Sequence, residues 1–246
     1  MVGVNVVPAT GWFFEGWSAG TTLAVYWIEN VAACLFVTVR IVVHRRLSPS
    51  RGHFRYQAPS ADRRSARRSS FLGGFLLTSL VFCAAHGIFL GVILFLLGRN
   101  GEGSLAGVSW RSVGVGCTIV FAFLVVDLGM DLLRVRRWPF LQIEQTANRG
   151  LGRIVVVHLT LILGLFAVAV TGASSALFGV FVVLKTMYAL ALVLPQWEPP
   201  RPPDWLSRVM NRVPNAHPGE RFEDLWAEDR AREAERRDRN EQSWSA

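Results

Sequence analysis

The chain has 246 residues, of which 51% are hydrophobic, and it carries a formal net charge of +8. Its mean hydropathy is +0.32, and several apolar runs are long enough to cross a hydrocarbon core about 30 Å thick. These properties exclude a water-soluble fold. Three cysteines without CxxC spacing also argue against a disulfide framework or a thiolate metal site.

The first 20 residues are apolar but interrupted by Pro8 and by several glycines. Their aromatic residues crowd together in a cluster of the kind found at the headgroup level of a bilayer. We therefore expect residues 1–20 to form an interfacial or re-entrant segment on the outer face. A first helix shortened by the choice of start codon is the alternative interpretation.

Five apolar segments follow, and they predict an all-α fold, a polytopic transmembrane helix bundle that occupies residues 21–195. The expected spans are residues 21–43, 71–97, 110–133, 154–171 and 174–194. The loops at 44–70 and 134–153 are rich in arginine, so the positive-inside rule makes them cytoplasmic. The N-terminus is then outside and the C-terminus cytoplasmic. Heavy arginine use is typical of a bacterial genome, and we expect the bacterial inner membrane.

The basic loop at 44–70 holds eight arginines against a single acidic residue, Asp62. Such a cluster beside a membrane is suited to anionic lipid headgroups. Nucleic acid is not expected as a partner, because Phe54 and Tyr56 are the loop's only aromatic residues and no recognisable module is present. The arginines expected to contact lipid are Arg45, Arg46, Arg63, Arg64, Arg67 and Arg68.

The composition changes after Pro195, and residues 196–246 form a polar cytoplasmic tail. A proline-rich linker at 198–204 precedes an amphipathic helix at 205–213, which we expect to lie on the inner leaflet. From 220 to 241 acidic and basic residues nearly balance. This pattern indicates a solvated helix or a partly disordered tail, and it leaves the tail available to a protein partner.

Polar residues inside the apolar segments are the candidate functional residues, because a charge near the bilayer centre costs at least about 2.5–3.5 kcal/mol. With about 1.5 Å of rise per residue, Glu29 and His86 lie at a similar depth in the outer half. Tyr26 and Asn30 belong to the same layer. A carboxylate that orients an imidazole is usual in metal and proton-transfer sites, but a plain interhelical hydrogen bond remains open.

A second polar layer is expected in the inner half, with Arg153 at the mouth of the fourth span. Its members are Asp127, Asp131, Arg153, His158 and Lys185. Asp127 and Asp131 share a helix face, so with His158 they could hold a divalent metal. Charge compensation of the two aspartates by Lys185 and by Arg153 or Arg134 is the favoured alternative.

Several short motifs together resemble an uncharacterised domain-of-unknown-function family of small bacterial and archaeal multi-pass membrane proteins. The likeness covers residues 10–192, and its most distinctive element is Tyr26-Trp27-Ile28-Glu29-Asn30. The other elements are Gly16-Trp17, His86-Gly87-Ile88-Phe89, Arg153-Ile154-Val155-Val156-Val157-His158 and Leu184-Lys185-Thr186. The family has no activity to transfer. The resemblance implies that the residues to test together are Glu29, Asn30, His86, Arg153, His158 and Lys185.

Three functional hypotheses follow from these residues. The first is a transporter-like protein, or one that handles protons or metal ions, built on Glu29 and His86. The second is a structural or assembly protein that recruits partners through its loop and tail. The third is an intramembrane enzyme. Proteolysis of the rhomboid type is not expected, because only His217, in the polar tail, follows the candidate serine Ser174.

Overall fold

A computed structural model describes most of the chain: residues 17–59, 70–99, 107–171, 180, 183–184, 187–188, 199–212, 219 and 221–244. Within these residues all the regular structure is helical, and a lone antiparallel bridge joins Ser50 to Ser243. The expected all-α fold is therefore confirmed for the part of the chain that is described. The expected segment at 1–20 lies outside it, apart from its last four residues.

The helices run in chain order as α1 (Ala19–Leu47), α2 (Arg51–Phe54), α3 (Phe71–Arg99), α4 (Trp110–Leu132), α5 (Phe140–Thr171), α6 (Asp204–Met210) and α7 (Phe222–Glu241). A 3-10 turn at Val135–Arg137 precedes α5. We call the end of the bundle where α1 ends at Leu47 and α5 begins at Phe140 the basal end.

Among the described residues, three helices are long and apolar enough to cross a membrane, over Gly20–Leu47, Phe71–Phe95 and Trp110–Leu132. Large apolar side chains cover their outer surfaces, and Ile88, for example, is 70% exposed. A surface of this kind is suited to lipid and not to water. Most of the expected span at 174–194 lies outside the described residues, so the number of five spans stays a prediction.

The central helix of the bundle is α1, which packs against α3, α4 and α5. The side chain of Ser18 accepts a hydrogen bond from the Thr21 amide at 3.1 Å and so caps the N-terminus of α1. Val25 packs with Val113 at that end, and Ile41 packs with residues of α3 and α5 at the basal end. The residues on the buried face of α1 are therefore placed to meet all three neighbours.

Helix α5 begins at Phe140, 14 residues before the predicted start at residue 154. Phe140, Ile143 and Ala147 recur at helical spacing and are all buried in the basal core. Polar residues between them lower the average hydropathy, so the stretch was wrongly predicted as part of a loop. The earlier start changes the expected depth of every residue of α5. Arg153, for example, lies near the middle of the helix and not at its beginning.

The acidic and basic residues after 220 form α7, which contacts α2 and α5. Arg236 and Asn240 of this helix are buried. The stretch is thus a helix, one of the two predicted alternatives, and most of its residues are exposed or half-buried. The prediction did not include the packing of one face on the bundle. The reason is that Arg236 and Glu241 find partners there, whereas a count of charges by sign cannot distinguish paired from solvated groups.

Candidate functional site

A buried ion pair joins α1 to α5 in the middle of the apolar bundle. The Nη2 of Arg153 contacts the Oε1 of Glu29, whose side chain is 0% exposed, while that of Arg153 is 18% exposed. Removing two charges from water costs several kcal/mol per ion, so each member of the pair depends on the other. Glu29, the least expected residue of the first apolar run, thus has a charged partner.

The start of α5 explains why Arg153 reaches Glu29. Arg153 lies 13 residues after Phe140, which places it about 20 Å above the basal end at 1.5 Å per residue. Glu29 lies 15 residues before His44, about 22 Å along α1. His44 itself is fixed at the basal end, since its Nε2 lies 2.9 Å from the carbonyl oxygen of Trp138. The two levels agree.

Two histidines from different helices face one another in the same bundle. The rings of His86 on α3 and His158 on α5 have centroids 6.2 Å apart, and Phe89 lies 6.0 Å from His158. His86 is 1% exposed, and neither of its ring nitrogens has a hydrogen-bond partner among the described residues. The Nδ1 of His158 also lacks one within that part of the chain. The sequence had suggested a hydrogen bond between His86 and Glu29, and that prediction is wrong.

Two other residues of the Tyr26-Trp27-Ile28-Glu29-Asn30 motif, Tyr26 and Asn30, are also buried. Tyr26 is buried and interacts electrostatically with Arg153, as does Tyr188, whose hydroxyl donates to the carbonyl oxygen of Arg149 at 2.7 Å. Asn30 is buried, and its amide nitrogen has no hydrogen-bond partner in the described ranges. We call Tyr26, Glu29, Asn30, His86, Arg153 and His158 together the α1–α3–α5 site.

Trp27, another residue of that motif, joins α1 to α3 by a hydrogen bond close to His86 in the sequence of α3. Its Nε1 donates to the carbonyl oxygen of Cys83 at 2.9 Å. Gly87 lies under its ring, and a Cβ built there would be 2.9 Å from the same nitrogen. Sequence reasoning missed this contact, although a glycine directly after a buried histidine is a signal for close approach of another helix.

Asp127 and Asp131 form a separate cluster nearer the basal end, around the buried side chain of Arg40. Nη2 of Arg40 donates to Asp127 at 2.8 Å, and its Nε donates to Asp131 at 2.7 Å. Charge compensation is thus the observed arrangement, with Arg40 as the cation, whereas Arg153 pairs with Glu29. Lys185, another expected cation, lies outside the described residues. Arg40 was missed as the partner although it lies 11 residues after Glu29, on the same face of α1.

The predicted metal set of Asp127, Asp131 and His158 does not assemble, because Arg40 occupies both carboxylates and His158 lies beside His86. Among the described residues, no three His, Cys, Asp or Glu side chains are grouped to hold a metal ion. The predicted division into two layers also changes. Arg153 and His158 join the residues of the first layer, and the aspartates stay apart.

Some predicted residues lie outside the described residues. Lys185 is one of them, and so are four of the predicted lipid contacts, Arg63, Arg64, Arg67 and Arg68. Of the other two, Arg46 is exposed, whereas the guanidinium carbon of Arg45 lies 4.4 Å from the centre of the Phe54 ring. Cys34 and Cys83 are buried in an apolar cluster with Ile154.

The chain was compared with protein families, curated proteins and solved structures. A family described as a family of unknown function, DUF6498, matches residues 1–205. This match confirms the resemblance to an uncharacterised domain family. No curated protein and no solved structure matches the chain. The α1–α3–α5 site lies wholly within the matched residues, whereas α7 lies beyond them.

Proposed function

The chain belongs to DUF6498, a family of unknown function, and we propose that it is a multi-pass membrane protein that binds and relays protons at the α1–α3–α5 site. The observation that supports this proposal is the His86–His158 pair, in which both ring nitrogens of His86 and the Nδ1 of His158 have no hydrogen-bond partner among the described residues. The same helix α5 also carries the buried ion pair to Glu29. Ionisable groups inside a membrane bundle are costly, and they commonly mark proton relays or transport pathways.

A neutral imidazole accepts a proton at one ring nitrogen and releases one from the other. Because the two rings do not hydrogen-bond to each other, the proposed transfer between α3 and α5 runs through a water molecule placed between them. Glu29 and Arg153 sum to zero charge, and the site therefore carries a single net charge when one imidazole is protonated. Asn30 and Tyr26 supply further hydrogen-bonding groups on α1.

The proposal includes a topology of five spans in a bacterial inner membrane, with the N-terminus outside and the C-terminus cytoplasmic. Its support is the arginine-rich composition of the 44–70 loop together with the exposed Arg46 at the basal end. In this topology the arginines of the loop contact anionic lipid headgroups at the cytoplasmic surface. The α1–α3–α5 site then lies in the outer half of the membrane.

A structural role is the second candidate function, and a specific observation favours it. The Glu29–Arg153 ion pair joins two helices, and an ion pair that only holds helices together needs no substrate. In this alternative the protein serves assembly and recruits partners at its basal end. The two histidines separate the alternatives, because both ring nitrogens of His86 and the Nδ1 of His158 have no hydrogen-bond partner within the described part of the bundle, so the structural role gives these imidazoles no bond to make.

Proton flux through reconstituted liposomes tests the proposal. Liposomes containing a pH-sensitive dye and an imposed potassium diffusion potential should acidify faster with the wild-type protein than without protein. His86→Gln and His158→Gln should each reduce that flux at least tenfold while keeping the melting temperature. Ile88→Val, two residues after His86 but on the exposed side of α3, is the matched control and should retain the flux. Wild-type flux equal to that of empty liposomes would favour the structural role.

A further inference from the structure

The basal end of the family region presents a polar surface formed by Tyr56, Gln57 and Glu144. The hydroxyl of Tyr56 donates to Glu144 Oε1 at 2.6 Å, and Glu144 is buried. A buried carboxylate needs a cation or several hydrogen-bond donors, and one phenol is not sufficient. The backbone of Gln57 adds an amide and a carbonyl that point to the same place, since both bond to Asn240.

One face of α7 supplies the cation and the hydrogen-bond donors that Glu144 requires. The two terminal nitrogens of Arg236 bond to the two oxygens of Glu144 at 2.9 and 3.3 Å, and Nη1 also donates to the Gln57 carbonyl at 2.8 Å. Asn240, one turn later, bonds to the amide of Gln57 at 3.1 Å and to its carbonyl at 3.0 Å. Glu233 holds Arg236 from its other side at 2.7 Å.

The end of α7 also caps the first turn of α5. The Oε2 of Glu241 accepts a hydrogen bond from the Phe140 amide at 2.8 Å, which is one of the unpaired N–H groups at the start of that helix. Beyond it, the Trp244 ring stacks on Phe54 at 4.9 Å, and the Trp244 amide donates to Pro49. The contact thus reaches the helix that carries Arg153 and His158.

The contact has the character of a binding interface between separable parts. The surface residues belong to the family region, which ends at residue 205, and α7 lies outside it. Arg236 and Asn240 are the buried residues of α7, and Arg232, one turn before Arg236, is 59% exposed. A helix so rich in charge is soluble without the bundle, and Glu144 would gain water if the helix left.

We propose that the surface formed by Tyr56, Gln57 and Glu144 is a docking site for a helix, and that α7 is its releasable occupant within the same chain. The site recognises an arginine and an asparagine that lie four residues apart on a charged helix. Release of α7 frees the first turn of α5. This proposal does not depend on proton relay at the α1–α3–α5 site.

Competition with a free helix tests the proposal on the full chain in lipid nanodiscs. The probe is a fluorescent peptide of residues 219–244, and its binding is measured by anisotropy. The Arg236→Met protein, whose own helix is released, should bind the peptide at least tenfold more tightly than the wild-type protein. Arg232→Met is the matched control and should behave as the wild type. A peptide that carries Arg236→Met should bind to none of the proteins.

Hydrogen exchange in the same samples reports the link to α5. Arg236→Met should raise the exchange rate of amides in residues 140–147 at least tenfold, and Arg232→Met should leave it unchanged. If Arg236→Met does not fold, Asn240→Ala replaces it with the same expected results. The proposal is overturned if a folded Arg236→Met or Asn240→Ala protein binds the peptide no better than the wild type. It is also overturned if the wild-type protein binds the peptide as tightly as the Arg236→Met protein does.

Discussion

Glu29 and Arg153 differ in how each responds to the loss of its partner. A glutamate left alone in a membrane can be neutralised by a proton, whereas an arginine remains charged at any accessible pH. Arg153 nevertheless retains the neighbouring hydroxyls of Tyr26 and Tyr188. The two single substitutions should therefore have unequal effects, although both break the same contact.

We predict that Glu29→Gln lowers the free energy of unfolding by about 3–5 kcal/mol, the usual cost of breaking a buried ion pair. Arg153→Met should cost less, because Glu29 can take up a proton. The double substitution should cost less than the sum of the two, since neither charge remains. Equilibrium unfolding in mixed micelles measures all three values. Additive effects of similar size would contradict the ion pair as the main interaction of both residues.

The elements of the bundle differ in how far the sequence predicted them. The limits of α1, α3 and α4 were predicted within about four residues, because long apolar runs carry a strong signal. The start of α5 was not, since its first half buries only one face. That error propagated to the site. Depth was counted from residue 154, so Arg153 was placed near the basal end, when it lies level with Glu29.

The close packing of α1 on α3 at Gly87 predicts that a larger residue there destabilises the contact between these two helices. Gly87→Ala would bring a Cβ to 2.9 Å from Trp27 Nε1 and displace the ring from its bond with Cys83. We expect a loss of about 1–3 kcal/mol in the free energy of unfolding, as for other overpacked sites. Gly91→Ala is the matched control on α3, because no atom lies within 4 Å of its added Cβ. It should be neutral or slightly stabilising.

Unfolding of both variants in mixed micelles, followed by tryptophan fluorescence, measures these changes. Equal effects of Gly87→Ala and Gly91→Ala would show that Trp27 does not pack tightly on α3. A loss confined to Gly87→Ala would support the placement of His86, the residue before Gly87, by this contact.

At the scale of the whole molecule, the polar residues were identified from sequence more reliably than their partners. Glu29, His86, Arg153 and His158 were all selected because charge and imidazole are rare inside apolar segments. Which residues meet depends on helix rotation and register, which hydropathy does not contain. The docking of α7 had no sequence signal at all, because its balanced charges also fit a solvated helix.

Stability of the whole bundle should also depend on pH through the basal end. His53 of α2 is 0% exposed, and its Nε2 lies 2.8 Å from the Nδ1 of His44, which in turn bonds to Trp138. Burial, followed by the nearby His44 and Arg45, lowers the pKa of His53 to about 3. The unfolded chain, with an ordinary histidine pKa of about 6.5, therefore binds more protons between these two values.

We predict that the stability contributed by neutral His53 is complete above pH 6.5 and is lost progressively as the pH falls toward 3. At pH 5 the loss should be about 2 kcal/mol for this one group. His53→Gln, which keeps a donor for His44 but does not titrate, should lower stability at pH 7.5 yet show a smaller further drop at pH 5. Melting temperatures of both proteins at the two pH values test this. Identical drops would show that His53 is not the group responsible, because every other titrating residue is common to both chains.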